Sequence, residues 1–225
     1  MHIPTYEGIR LKGLEYKRVL FAKYRKKKLI NSNFSIISNN CWGGMVYESY
    51  NLPKQSPTVG LFFMADDYIR FLSDMKVYLQ KDLEFINPKD SKWADRQELK
   101  GDPRFGSYPV ARISNGDENI EIFFLHYHSE KEAQEKWARR IERINWNRLI
   151  VKFNDQNGCE TEHLEKFLDF DYPNKLFFTC KHWDNIKNEN VIYIRQPFFY
   201  KTITASHEPF GENKHININE YINNL

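Results

Sequence analysis

Phe34-Ser-Ile-Ile-Ser-Asn-Asn-Cys-Trp-Gly-Gly44 is the stretch on which the fold turns. A short β-branched run breaks into two asparagines, and the residues that follow to Tyr50 suit a helix, so the segment predicts strand, loop, helix. The order recurs downstream. Thr58-Val-Gly-Leu-Phe-Phe63 is expected to be a second buried strand, and the helix after it carries Tyr68, Leu72, Met75 and Leu79 on one stripe. Leu149 to Phe153, Leu176 to Thr179 and Val191 to Ile194 are further strands, with a helix from Thr161 to Phe170 between the first two. This rhythm predicts a mostly parallel sheet covered on both faces, an α/β/α sandwich of three layers. Val110 to Ile113 and Ile120 to Leu125 flank Ser114-Asn115-Gly116-Asp117, whose Asn-Gly adds an antiparallel hairpin. Ser129-Glu-Lys-Glu132 has capping-box spacing and opens a helix with Ala133, Trp137, Ile141 and Ile144 on one side.

Three regions follow from this pattern: a basic helical segment over 1–33, an α/β domain over 34–200, and a polar, Asn-rich tail over 201–225. Asn87 to Ser107, broken by Pro88, Gly101, Pro103 and Gly106, reads as a surface excursion able to act as a lid. With 225 residues, 41% hydrophobic and 28% charged, the chain has ordinary globular composition and can bury a core without staples. No apolar run approaches the ~20 residues of a membrane span. Met-His-Ile-Pro-Thr-Tyr-Glu lacks the pattern of a secretory leader, so the expected compartment is the cytoplasm. Cys41, Cys159 and Cys180 are odd in number and widely spaced, unlike a disulfide framework or a paired-cysteine zinc site.

The net charge of +3 conceals an asymmetry. Arg10 to Lys28 holds nine Lys or Arg and one acid, Glu15; this is +8 locally, so the remainder carries −5. Arg25, Lys26, Lys27 and Lys28 are therefore candidates for contact with anionic lipid at the inner face of the membrane. Nucleic acid is not an expected partner, because the aromatics lie in apolar runs rather than among the cations.

In a parallel sheet, ligands bind beyond the carboxyl ends of the strands. Ser38, Asn39, Asn40 and Gly43 lie in such a loop and are candidate substrate-binding residues; Cys41, beside the start of a helix, is a candidate nucleophile. His126 follows a strand and is a candidate general base, with Tyr127 and His128 beside it as binding residues. Asp155, after the Leu149 strand, would orient the histidine. Asp67, after Phe63, is a further binding candidate. No third ligand accompanies His126 and His128, so no metal site is predicted.

Several of these pieces are shared with one known group. The loop from Phe34 to Gly44, Val59-Gly-Leu-Phe-Phe63 with Asp67-Tyr68-Ile69, and Phe124-Leu-His-Tyr127 with Ser129-Glu130 and Lys136-Trp137 resemble the bacterial family known as domain of unknown function 1919. Asn154-Asp155 and Asn157-Gly158-Cys159 extend the likeness. The resemblance implies a three-layer α/β domain and a setting in exopolysaccharide or capsule biosynthesis, with some members labelled acyl- or acetyltransferases. It marks Ser38 to Gly44, Asp67, His126-Tyr127 and Asp155 as shared positions, and sets His126 above His128.

The leading expectation is an enzyme that transfers an acyl group to a sugar hydroxyl of a surface-glycan precursor, free or lipid-linked. Either Cys41 takes the acyl group with His126 and Asp155 behind it, or His126 deprotonates the sugar directly while amides stabilise the oxyanion. No cofactor is expected to be resident; the donor would be a thioester such as acetyl-CoA. The competing readings are a metal-independent transferase of a sugar or phosphate-linked unit, and a glycan-binding or assembly protein without catalysis.

Overall fold

A computed structural model describes residues 6–184 and 186–225. The chain start, read above as lacking a leader, lies largely outside them. Among the described residues no helix is long and apolar enough to cross a membrane.

Strands β1 (Ser35–Ser38), β5 (Leu149–Asn154), β6 (Lys175–Thr179) and β7 (Val191–Tyr193) form a four-stranded parallel sheet in the order β1-β5-β6-β7. A separate antiparallel sheet joins β2 (Glu84–Ile86), β3 (Val110–Asn115) and β4 (Glu118–Phe123). The expected hairpin is therefore β3 and β4, with β2 added along its edge. Asn115 pairs with Glu118, so the two-residue turn is Gly116-Asp117, and Gly116 supplies the left-handed φ of +64°.

Alternation along the parallel strands separates two cores. Ile36, Ile150, Leu176 and Phe178 share one cluster with α3 (Trp42–Ser49) and α9 (Ile218–Asn223). Ile37, Val151, Phe153 and Phe177 share the other with α4 (Ala65–Ser73), α5 (Met75–Tyr78), α7 (Glu130–Ile141), α8 (Thr161–Asp169) and the antiparallel sheet. The stripe Tyr68, Leu72, Met75 and Leu79 is buried as its spacing requires, although the helix breaks at Asp74. The remaining helices are α1 (Tyr6–Leu20), α2 (Ala22–Lys27) and α6 (Gln97–Lys100), the last within the excursion.

Two expectations are corrected. Thr58 to Phe63 is not a strand: Phe62 exchanges both backbone hydrogen bonds with Phe123, while the Phe63 amide donates to the Asn39 carbonyl. The segment bridges the two sheets, and Gly60, at φ +81°, turns the chain just before the bridge, where its carbonyl accepts from the His126 amide. Residues 201–225 are no free tail either. Ile203, Ile218 and Ile222 are fully buried in the first core.

Glu208 explains how this segment is held. Its side chain is wholly buried and meets Lys152, equally buried in the middle of β5, at 2.5 Å. Removing one partner leaves a buried charge alone, which typically costs ~3–5 kcal/mol, whereas replacing both by apolar side chains is often neutral. Lys152→Met is thus expected to lose stability in that range in urea unfolding, and Lys152→Met with Glu208→Leu to recover most of it. Equal losses in the single and double variants would show that the pair is not coupled.

Candidate functional site

A cavity of about 600 Å³ opens beyond the carboxyl ends of β1 and β5. Its wall includes Asn40 and Cys41 from the loop after β1, Gln156 and Asn157 from the loop after β5, and Leu125 and His126 after β4. Thr204 and Ser206 close it from the C-terminal segment, and Glu98, Asp102 and Arg104 form part of its wall from the excursion. Five segments far apart in sequence thus meet where the sheet rule places a ligand.

Beneath the cavity lies a buried polar network. Lys152 Nζ donates to Asn40 Oδ1 at 2.9 Å as well as to Glu208. Asn40 Nδ2 donates to Glu208 Oε1 at 3.2 Å and to Gln156 Oε1 at 3.3 Å. Asn154 Nδ2 reaches Glu208 Oε1 at 2.7 Å and Gln156 Oε1 at 3.3 Å, and Asn39 Nδ2 donates to Asn154 Oδ1. Burial draws the Lys152 ammonium down to about 8 and pushes the Glu208 carboxyl up, while each partner's charge opposes the shift of the other. One consequence falls on Gln156. Both hydrogen bonds to its Oε1 come from the network, so its Nε2, without an acceptor among the described residues, is the available donor on a residue that lines the cavity.

The two reactive groups in the wall differ in character. Cys41 stands at the start of α3, and its thiol lies 3.9 Å from the Leu61 carbonyl oxygen. Burial raises it to about 12, and the positive charges of Arg104 and Lys152 offset this only in part. Its place at a helix start does not bring the thiol below its ordinary value. His126 is exposed to the cavity and held below its ordinary value, first by partial burial and then by Arg104 and Lys54. Both effects favour the neutral imidazole, the form able to accept a proton.

The other sequence candidates have structural work. Asp155 does not reach the cavity wall: its carboxylate accepts from Thr179 Oγ1 and the Cys180 amide, both at 2.8 Å, and from the Ile203 amide at 2.7 Å. It staples β5 and β6 to the C-terminal segment instead of orienting His126. Asp67 is buried, bound to Lys92 Nζ at 2.7 Å, Trp93 Nε1 at 2.6 Å and the Glu121 amide at 3.0 Å. Tyr127 turns inward, donating to the Val59 carbonyl at 2.6 Å and accepting from Arg140. His128 gives its backbone N–H to Glu132 at the start of α7. Ser38 and Asn39 are buried in the network. Gly43 is a packing residue, since a Cβ there would meet Ile36 Cγ2 at 3.2 Å.

The basic quartet divides likewise. Arg25 points into the fold, donating to the carbonyls of Ser49 at 2.5 Å, Lys17 at 2.6 Å and Arg18 at 2.8 Å. Lys28 pairs with Glu212 at 2.5 Å; Lys26 and Lys27 are exposed. Among the described residues no group of three or more His, Cys, Asp or Glu is placed to hold a metal ion.

Residues 13–221 match the family described as domain of unknown function DUF1919. The chain belongs to that family. It is also 30% identical over 176 residues to a protein of Haemophilus influenzae named only as uncharacterized, covering 78% of this chain and 76% of the relative. The match within the family takes in every wall segment of the cavity, from Asn40 to Ser206.

Two measurements follow from the electrostatics. Alkylation of Cys41, followed by peptide mass spectrometry, is expected to accelerate with pH past pH 10; a plateau near neutrality would reveal an activated thiolate. NMR titration of His126 is expected to give a midpoint below 6.5, moving upward in Arg104→Gln because a repelling positive charge is gone. A midpoint unchanged by that substitution would remove Arg104 from the account.

Proposed function

We propose that the protein transfers an acyl group from a thioester donor to a hydroxyl of a sugar, and that it does so in the biosynthesis of a surface polysaccharide. The setting comes from the family resemblance. The chemistry rests on one observation: a neutral, cavity-facing His126 shares a wall with amides fixed by a buried network. Amides, hydroxyls and carboxylates suit a hydroxyl-rich ligand, each offering donors or acceptors in set directions. Arg104 is already engaged by Asp102, at 2.9 and 3.2 Å, so the wall has little unpaired positive charge for a phosphate-linked unit. That favours a sugar hydroxyl as acceptor over transfer of a phosphate-linked group.

In this mechanism His126 takes the proton of the sugar hydroxyl as its oxygen attacks the thioester carbonyl carbon. The oxyanion of the tetrahedral intermediate accepts from Gln156 Nε2. Collapse expels the thiolate, which receives the proton from the imidazolium, so base and acid are restored in one cycle. Cys41, with a thiol raised by burial, lines the cavity and does not carry the acyl group.

The test is acetyl transfer from acetyl-CoA to a panel of sugars and sugar nucleotides, read as ester product. His126→Gln should lower kcat/KM by roughly 10²–10⁴ with an unchanged melting temperature, the usual span for losing a general base. Cys41→Ala should stay within a few fold of the parent. Loss with Cys41→Ala and retention with His126→Gln would reverse the assignment, and sugar binding without turnover in any donor pair would leave a glycan-binding protein.

A further inference from the structure

We propose that the N-terminal helices form an interfacial docking surface for anionic lipid, with α1 lying along the bilayer. This stands on features remote from the cavity and does not depend on the acyl-transfer reading. Helix α1 carries two apolar stripes. Leu11, Leu14 and the buried Arg18 face the body of the protein, where α1 packs on α3. Ile9, Tyr16 and Leu20 stand at i, i+7 and i+11, half a turn round the helix from that stripe, and are 58%, 68% and 57% exposed. Val19, Phe21, Tyr24 and Ile30 extend the exposed apolar surface across the junction with α2 and beyond it. A helix with a single protein-facing stripe would have polar residues at these positions.

Charge selects the occupant. Lys12, Lys17, Lys23, Lys26 and Lys27 are exposed and make no ion pair among the described residues. They flank the outward apolar residues, an arrangement that suits a helix lying in a lipid interface, with aromatic and aliphatic groups entering the acyl boundary while cations meet the headgroups. A second copy of the chain is the poorer fit. A symmetric contact through this face would bring two segments of +8 together, whereas the −5 on the remainder of each chain orients the molecule with its basic end toward an anionic surface. Arg25 and Lys28 take no part in the contact: they hold the helices on the body, through the Ser49 carbonyl and Glu212, and so keep the outer stripe outward.

Flotation of the full chain with vesicles of phosphatidylcholine alone, or with phosphatidylglycerol added, separates the outcomes. Binding is expected only with the anionic lipid and to weaken as salt rises. Lys23→Gln with Lys26→Gln and Lys27→Gln should reduce partitioning by about a hundredfold, at the usual contribution of each cation near such a surface. Ile9→Ser with Tyr16→Ser and Leu20→Ser should also weaken binding, including at low salt, and a tryptophan placed by Leu20→Trp should blue-shift its emission on anionic vesicles. Because these side chains are exposed, the melting temperature of each variant should match the parent's. Partitioning unchanged by both sets would overturn the proposal. So would a concentration-dependent dimer in analytical ultracentrifugation that the serine variant abolishes, since that would give the stripe to a second copy.

Discussion

A lysine in the middle of an apolar strand must find an anion or lose its charge, and Lys152 finds Glu208. Taking both groups out of water is expensive, and an ion pair so deep adds little net stability over apolar packing. What it adds is direction. Glu208 can reach Lys152 only if residues 201–208 cross the carboxyl ends of the parallel strands, and that crossing places Thr204 and Ser206 in the cavity wall. Asn40 and Asn154, which both donate to the Glu208 oxygen that faces Lys152, in turn fix Gln156. Asp155 adds an independent tie through the Ile203 amide. The floor of the site is thus a by-product of solving one burial problem.

The same burial sorts the reactive groups above that floor. A thiol and an imidazole share one wall, and both lose their charged forms when water is withdrawn. For Cys41 the charged form would be the nucleophile, and burial disfavours it; for His126 the neutral form would be the base, and partial burial with Arg104 favours it. An acyl-enzyme on sulfur and direct attack by a sugar hydroxyl looked equivalent as sequence patterns. In the proposed mechanism they differ in which group keeps its reactive form where water is partly excluded, which the spacing of residues does not report.

Where a side chain's partner is near in the chain, the sequence was readable. The strand-loop-helix at Phe34 to Tyr50, the β3–β4 hairpin, the Ser129 cap and the stripe from Tyr68 to Leu79 all depend on local periodicity. Val59 to Phe63 misled because an apolar run signals burial without saying what it pairs with; here it bridges two sheets. Asp67, Asp155 and Tyr127 stood where ligands bind, yet their donors lie 25–54, 24–48 and 13 residues away, beyond any local pattern. Ile203, Ile218 and Ile222 are isolated in polar surroundings, so the last core elements resembled a tail. One signal was available and missed: Lys152 within Leu149-Ile-Val-Lys-Phe153, a charge that a buried strand cannot carry alone.

Amide hydrogen exchange on Glu208→Gln tests this dependence most directly, because the substitution keeps the volume of the side chain and removes its charge. If the ion pair holds the C-terminal crossing in place, residues 201–208 and the loop from Asn154 to Gly158 should exchange much faster than in the parent. The antiparallel sheet and α4, on the opposite face, should keep their protection. Unchanged protection over 201–208 would contradict the account, and the cavity would then owe its wall to apolar packing alone.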